Sequence, residues 1–83
     1  MEPAGQGRLG RLALNDEGFA FDPTRGESYV LNETALRIIR ACQKGGSGSE
    51  IARELEQAYQ VPAAEAEADV AEFMERLRSL GLL

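Results

Sequence analysis

The first third of the chain carries short apolar stretches separated by turn residues, and the rest repeats apolar residues at helical spacing. Such short stretches predict three strands, at residues 8–14, 19–21 and 27–31. Gly10 weakens the first stretch, so its strand is expected to begin near Arg11. Asn, Asp, Pro and Gly residues fill the two intervening segments, as in tight turns. Consecutive strands with short turns predict an antiparallel meander.

Three helices are predicted after the third strand, at about residues 33–43, 47–59 and 63–80. Asn32 is placed to cap the first helix, and Gly45 follows its end. Ser47 and Glu50 form the S-x-x-E pattern of a capping box at the start of the second helix. Gly81 suits the position after the third helix, where a left-handed residue is common.

Three strands followed by three helices predict an α+β, winged-helix-like fold. The chain of 83 residues is long enough for one domain. Residues 1–7 have little apolar content and are expected to form a disordered tail. Residues 8–83 are therefore expected to form the folded domain.

The charge of the chain counts against a nucleic-acid partner. Fourteen acidic and nine basic residues give a net charge of −5, whereas phosphate binding requires a basic face. No apolar run approaches the ~20 residues that span a membrane, and no signal peptide is visible. A cytoplasmic protein without a membrane partner is the expectation.

The sequence offers no catalytic group, metal site or cofactor motif. Histidine is absent, and Cys42 is the single cysteine, so no nucleophile–base pair and no multi-cysteine metal site is expected. Cys42 falls near a helix C-terminus, where the helix dipole disfavours a thiolate, and it is interpreted as a buried structural residue. A role as one half of a shared active site is an alternative that these absences leave open.

The third predicted strand is an edge strand in a meander ordered 1-2-3. An exposed edge is a template to which an extended peptide can add. The edge can equally be covered by a helix or paired with a second copy in a homodimer. The residues alone favour neither interpretation.

Several short motifs follow one another along the chain. They are Gly18-Phe19, Phe21-Asp22-Pro23, residues 26–34, Gly45, Glu50-Ile51, residues 59–61, Asp69-Val70, Phe73, Leu77 and residues 81–83. In order and spacing they resemble the PqqD-like peptide chaperones, the RiPP recognition elements that bind leader peptides of ribosomally made, post-translationally modified peptides. The resemblance covers about residues 12–83.

The resemblance implies a binding site between the third strand and the third helix. The peptide would pair with the backbone of five strand residues, Glu27, Ser28, Tyr29, Val30 and Leu31. The helix would contribute groove side chains from Asp69, Val70, Phe73, Arg76 and Leu77. Asp69 and Arg76 are the polar residues best suited to fix the register of the peptide.

The resemblance also implies a non-catalytic adaptor that presents a precursor peptide to a modifying enzyme, such as a radical SAM protein or a kinase-like protein. The pathway would be coenzyme PQQ biosynthesis or a related peptide-modification system. The Phe21-Asp22-Pro23 turn is more similar to the branch related to HPr kinase.

A winged-helix DNA-binding or transcription-regulatory module is the main alternative function. Its recognition helix would be rich in Lys and Arg. Here the third helix carries five acidic residues and two arginines, so its net charge is negative, whereas a DNA-recognition helix is positive. The acids are Glu65, Glu67, Asp69, Glu72 and Glu75. They are interpreted either as a solvated face or as a docking surface for a basic partner.

Overall fold

A three-stranded antiparallel sheet precedes three helices in the computed structural model, which describes residues 7–83. The strands are β1 (Ala13–Leu14), β2 (Phe19–Asp22) and β3 (Glu27–Val30), in the order β1-β2-β3. The helices are α1 (Glu33–Gln43), α2 (Gly48–Tyr59) and α3 (Ala63–Ser79). The α+β architecture predicted from the sequence is confirmed.

The first strand, expected to run from near Arg11 to Leu14, is shorter in the structure. Gly7–Arg11 form a 3-10 helix, and β1 contains two residues only. Leu9 and Leu12 are both buried, which a repeat of three residues allows and the alternation of a strand does not. The Leu9 amide donates to the Leu82 carbonyl oxygen at 3.0 Å. This contact with the other end of the chain replaces strand pairing.

The predicted tail, residues 1–7, lies outside the described residues except for Gly7, at which the 3-10 helix begins. The side chain of Gln43 in α1 holds this helix in place. Its Nε2 donates to the carbonyl oxygens of Leu9 and Leu12, each at 3.0 Å.

The β2–β3 turn is built around Asp22, whose side chain is fully buried. Its Oδ1 accepts the Thr24 amide at 2.9 Å, and its carbonyl oxygen accepts the Gly26 amide at 2.7 Å. Gly26 has φ of 69°, a conformation that glycine adopts without strain. The turn fixes the register in which Phe19 faces Val30 and Ala20 faces Tyr29.

Local signals define the helix ends as predicted. Asn32 Oδ1 accepts the Ala35 amide at 2.7 Å at the start of α1. Ser47 and Glu50 form both hydrogen bonds of the capping box at the start of α2. Gly81, with φ of 74°, follows α3, and the chain then turns so that Leu82 is buried. These ends position α3 beside the sheet.

The core lies between the helices, the inner face of the sheet and the 3-10 helix. Its largest fully buried apolar side chains are Leu9, Ile38, Ile39, Ile51 and Leu82. Cys42 is also buried, as predicted, and its Sγ lies 3.7 Å from the Met74 sulfur. Among residues 7–83, no helix combines the length and the apolar character needed to cross a membrane.

Candidate functional site

β3 has β2 as its strand neighbour on one side and an open edge on the other, within the part of the chain that the structure describes. The Leu31 amide donates to the Gly18 carbonyl oxygen at 2.6 Å, just beyond the end of the ladder. Main-chain groups of an antiparallel strand alternate between its two sides. Tyr29 and Leu31 therefore direct their main-chain groups to β2, and Ser28 and Val30 direct theirs to the open edge.

A groove of about 680 Å³ lies between this edge and α3, and we call it the β3–α3 groove. Its floor is formed by apolar residues of α1 and the sheet, with Leu77 and Leu82. The lining residues are Leu12, Ala20, Ser28, Tyr29, Val30, Leu31, Asn32, Thr34, Ala35, Ile38, Ile39, Asp69, Glu72, Phe73, Arg76, Leu77, Leu80 and Leu82. An apolar floor beneath unpaired strand groups suits an extended peptide.

Eight of the ten residues predicted for the site line this groove: Tyr29, Leu31, Asp69, Phe73, Arg76 and Leu77, with Ser28 and Val30 at its strand edge. The side chains of Ser28 and Val30 lie on the other face of the sheet, beside Phe21 and Phe19. Val70 is absent from the lining and packs in the core, where it is 3% exposed. Glu27 begins β3 outside the groove lining, and its Oε2 accepts the Tyr29 hydroxyl at 3.0 Å. The structure thus brings together most of the predicted residues and separates two from them.

Two neighbouring stripes of α3 explain the position of Val70. Ala66 and Val70 are buried against the core, whereas Leu77 is buried and also reaches the groove lining. Asp69, Phe73 and Arg76 lie on the adjoining stripe, which borders the groove. Helical periodicity predicts one broad apolar face but does not say which part of it meets the sheet.

The sequence analysis did not assign to the site Glu72 of α3, Leu80 just after that helix, or several residues of α1. Glu72 and Leu80 fall at helical spacing from Asp69 and Arg76, which is the signal that could have identified them. Leu80 is 42% exposed. Thr34 and Ile38 come from the face of α1 beneath the groove, which only the packing of α1 against the sheet reveals.

Charges of opposite sign lie at different positions along the α3 wall of the groove. Asp69 and Glu72 precede Arg76 on the same stripe of α3. Asp69 and Arg76 are two turns apart, about 10.5 Å along the helix axis. A peptide in the groove would therefore meet a negative and a positive side chain in a fixed order, which can define its direction.

The described residues include no cluster of three or more His, Cys, Asp or Glu that could hold a metal ion. Burial raises the pKa of the Cys42 thiol, which keeps it in the neutral form. The five acids predicted to oppose DNA binding are all exposed on α3. A duplex placed against this helix would face predominantly negative charge.

An open edge strand beside an apolar groove, on an α+β fold of this size, is an arrangement found in small peptide-binding domains that use strand addition. The chain belongs to the PqqD family, because the family model described as Coenzyme PQQ synthesis protein D (PqqD) matches residues 17–83. The family resemblance of the sequence is confirmed.

A solved structure, lasso peptide synthetase B1 complexed with the leader peptide, is similar to this chain. The two are 32% identical, with a TM-score of 0.73, over 86% of this chain and 85% of that one. No curated protein matches this sequence.

Proposed function

We propose that this protein is a non-catalytic adaptor that binds the leader of a ribosomally made precursor peptide as an additional strand on β3. The observation that carries the proposal is the position of the Ser28 and Val30 main-chain groups, which face the open edge beside the apolar groove. Membership in the PqqD family and the likeness to a synthetase solved with its leader peptide support the same function.

The leader would gain affinity from the strand edge and selectivity from α3. Main-chain hydrogen bonds to Ser28 and Val30 are independent of side-chain identity. Alternate side chains of the leader would enter the groove against Tyr29, Phe73 and Leu77. Asp69 and Arg76 would then select the register and direction of the bound strand.

The bound leader would be presented to a modifying enzyme, for which a radical SAM protein or a kinase-like protein is the candidate. The chain offers no nucleophile–base pair of its own, so the chemistry belongs to that partner. Coenzyme PQQ biosynthesis or a related peptide-modification system would be the pathway.

Titration of isotope-labelled protein with leader segments of precursor peptides encoded beside its gene tests the proposal by NMR. We expect amide shifts concentrated on Ser28, Val30 and the groove stripe of α3. Residues of α2, which contributes nothing to the groove lining, provide the internal reference. A leader that binds and leaves the β3 amides unshifted would contradict the proposed site. Failure of every such leader to bind at millimolar concentration would contradict the function.

A further inference from the structure

The outer face of the sheet, opposite the helices, carries a row of exposed apolar side chains. Val30 is 81% exposed, its cross-strand partner Phe19 is 51% exposed, and Phe21 is 45% exposed. Edge strands are usually protected by charged residues or proline. A valine at this degree of exposure on an open edge is therefore unusual for a free surface.

Val30 is distinguished by the direction of both its side chain and its main chain. Its main-chain groups face the open edge, as the alternation from the Leu31–Gly18 hydrogen bond requires. Its side chain lies on the same face as that of Phe19, because the two residues are directly opposite in the ladder. A strand that bonds to the Val30 backbone must therefore place one of its own side chains beside the Val30 side chain.

We propose, resting on the function proposed above, that the leader carries an apolar side chain opposite Val30 on the outer face of the sheet. The row Phe19–Val30 would then continue into the leader. The flanking leader residues point to the other face, into the groove, since side chains alternate along a strand. The recognised segment is thus three consecutive apolar residues, two facing the groove and the central one facing outward.

This arrangement distinguishes two kinds of leader. A leader that uses only the groove would alternate apolar and polar residues. A leader that also contacts Val30 has no polar residue at the central position. An apolar central residue is preferred over a polar one because it is buried against the β-branched side chain of Val30, at the spacing of a cross-strand pair.

Selection of peptides from a random library tests the inference, and the sequence of the natural leader is not needed for it. A randomised library of 12-residue peptides is displayed and selected on the immobilised full chain. Binding sites of enriched peptides are mapped by amide shifts of labelled protein. Their affinities are then measured for the unmodified chain, for Val30→Thr and for the control Ala13→Thr. Ala13 is exposed on β1 and pairs with Phe21, so it lies on the same face at the far edge.

We expect the peptides that shift Ser28 and Val30 to contain the three-residue apolar segment. Val30→Thr should weaken them by about two- to fivefold, the size expected for one cross-strand apolar pair. Ala13→Thr should leave them unchanged. Threonine is a good strand former at an exposed site, so neither variant should perturb the fold.

Two other results are distinguishable: one contradicts only the inference about Val30, and the other contradicts the proposed function as well. Peptides that bind the β3 edge with a polar or unselected central residue, or that bind Val30→Thr equally well, overturn the inference and leave the proposed function standing. If no enriched peptide binds at the β3 edge, the proposed function fails, and the inference fails with it.

Discussion

Leu31 and Gly18 are in direct main-chain contact at the end of β3. The Leu31 amide donates to the Gly18 carbonyl oxygen at 2.6 Å. A Cβ atom at position 18 would overlap the Leu31 carbonyl oxygen. No side chain fits between the two backbones, so glycine at position 18 allows β3 to remain paired with the β1–β2 turn where it leads into α1.

Replacement of Gly18 by alanine should destabilise the domain by about 2 kcal/mol or more, because a steric clash adds to an unfavourable backbone conformation. Gly18 has φ of +97°. Urea unfolding followed by circular dichroism measures the change. Gly26→Ala is the matched control, since Gly26 has φ of +69° with open space around it. The free energy of unfolding of Gly26→Ala should fall by about 1 kcal/mol only. Equal losses in the two variants would show that the close approach to Leu31 has no energetic importance.

Ser28→Pro should weaken leader binding by roughly tenfold, the effect of one lost hydrogen bond in a partly dry groove. Proline removes an amide that faces the open edge, so the β2–β3 ladder is spared. Isothermal titration with a leader that binds the unmodified chain gives the affinity. Ser28→Ala keeps the amide and should bind normally. Unchanged binding by a folded Ser28→Pro variant would argue against strand addition.

Arg76→Glu should weaken binding of a leader with an acidic residue by about fivefold or more, because attraction becomes repulsion. Arg78→Glu carries the same change of charge on the same helix. Arg78 lies outside the groove lining and pairs with Glu75 at 3.0 Å, so its reversal should change affinity less than twofold. Equal losses of affinity in the two variants would show that the net charge of the protein, and not the position of Arg76 in the groove, determines the effect.

Stability should fall as the pH drops below the ordinary value of about 4.5 for the Glu50 carboxyl. Hydrogen bonds from Ser47 lower the pKa of Glu50 in the folded state. The ionised carboxylate therefore stabilises the fold above that value, and the contribution is lost as the pH falls through the lowered folded pKa. The stability difference between the unmodified chain and Glu50→Gln, from urea unfolding at a series of pH values, should shrink over this range. A difference independent of pH would contradict the role of the carboxylate in the cap.

Cys42 should resist alkylation in the folded protein. The thiol is buried, and burial raises its pKa, so both access and thiolate content are low. Iodoacetamide at pH 8 should react on the order of a hundredfold more slowly with native protein than with protein unfolded in urea, since reaction requires opening of the core. Mass spectrometry gives both rates. Similar rates would show that α1 and α3 separate readily at this contact.

The elements of the fold were predictable where local chemistry determines them. Asn32, Ser47, Glu50 and Gly81 act within one turn of their own position, so the sequence around them contains the whole signal. The 3-10 helix was not predictable in this way. Leu9 is held by Leu82 and Gln43, which are distant in sequence, and a strand pattern was the nearest local interpretation.

The residues of the groove were predictable only in part, for a related reason. The resemblance to the PqqD family rests largely on turn, cap and core residues, such as Gly18, Asp22 and Asn32, which determine the fold. The proposed selectivity depends on α3, where core and groove stripes adjoin. Val70 was expected in the groove and lies in the core because the rotation of α3 about its axis depends on packing across the whole domain.

The hydrogen bond between Leu9 and Leu82 holds the 3-10 helix beside the segment that follows α3. A folded unit whose first and last elements are adjacent can be inserted into a loop of a larger protein without distorting the structure around that loop. It can also be fused to another protein at either end. The same geometry makes a circular permutation feasible, with a short linker across this point and a new opening in the β1–β2 turn. For engineering, this geometry favours insertion of the described domain into a host protein or its fusion to one.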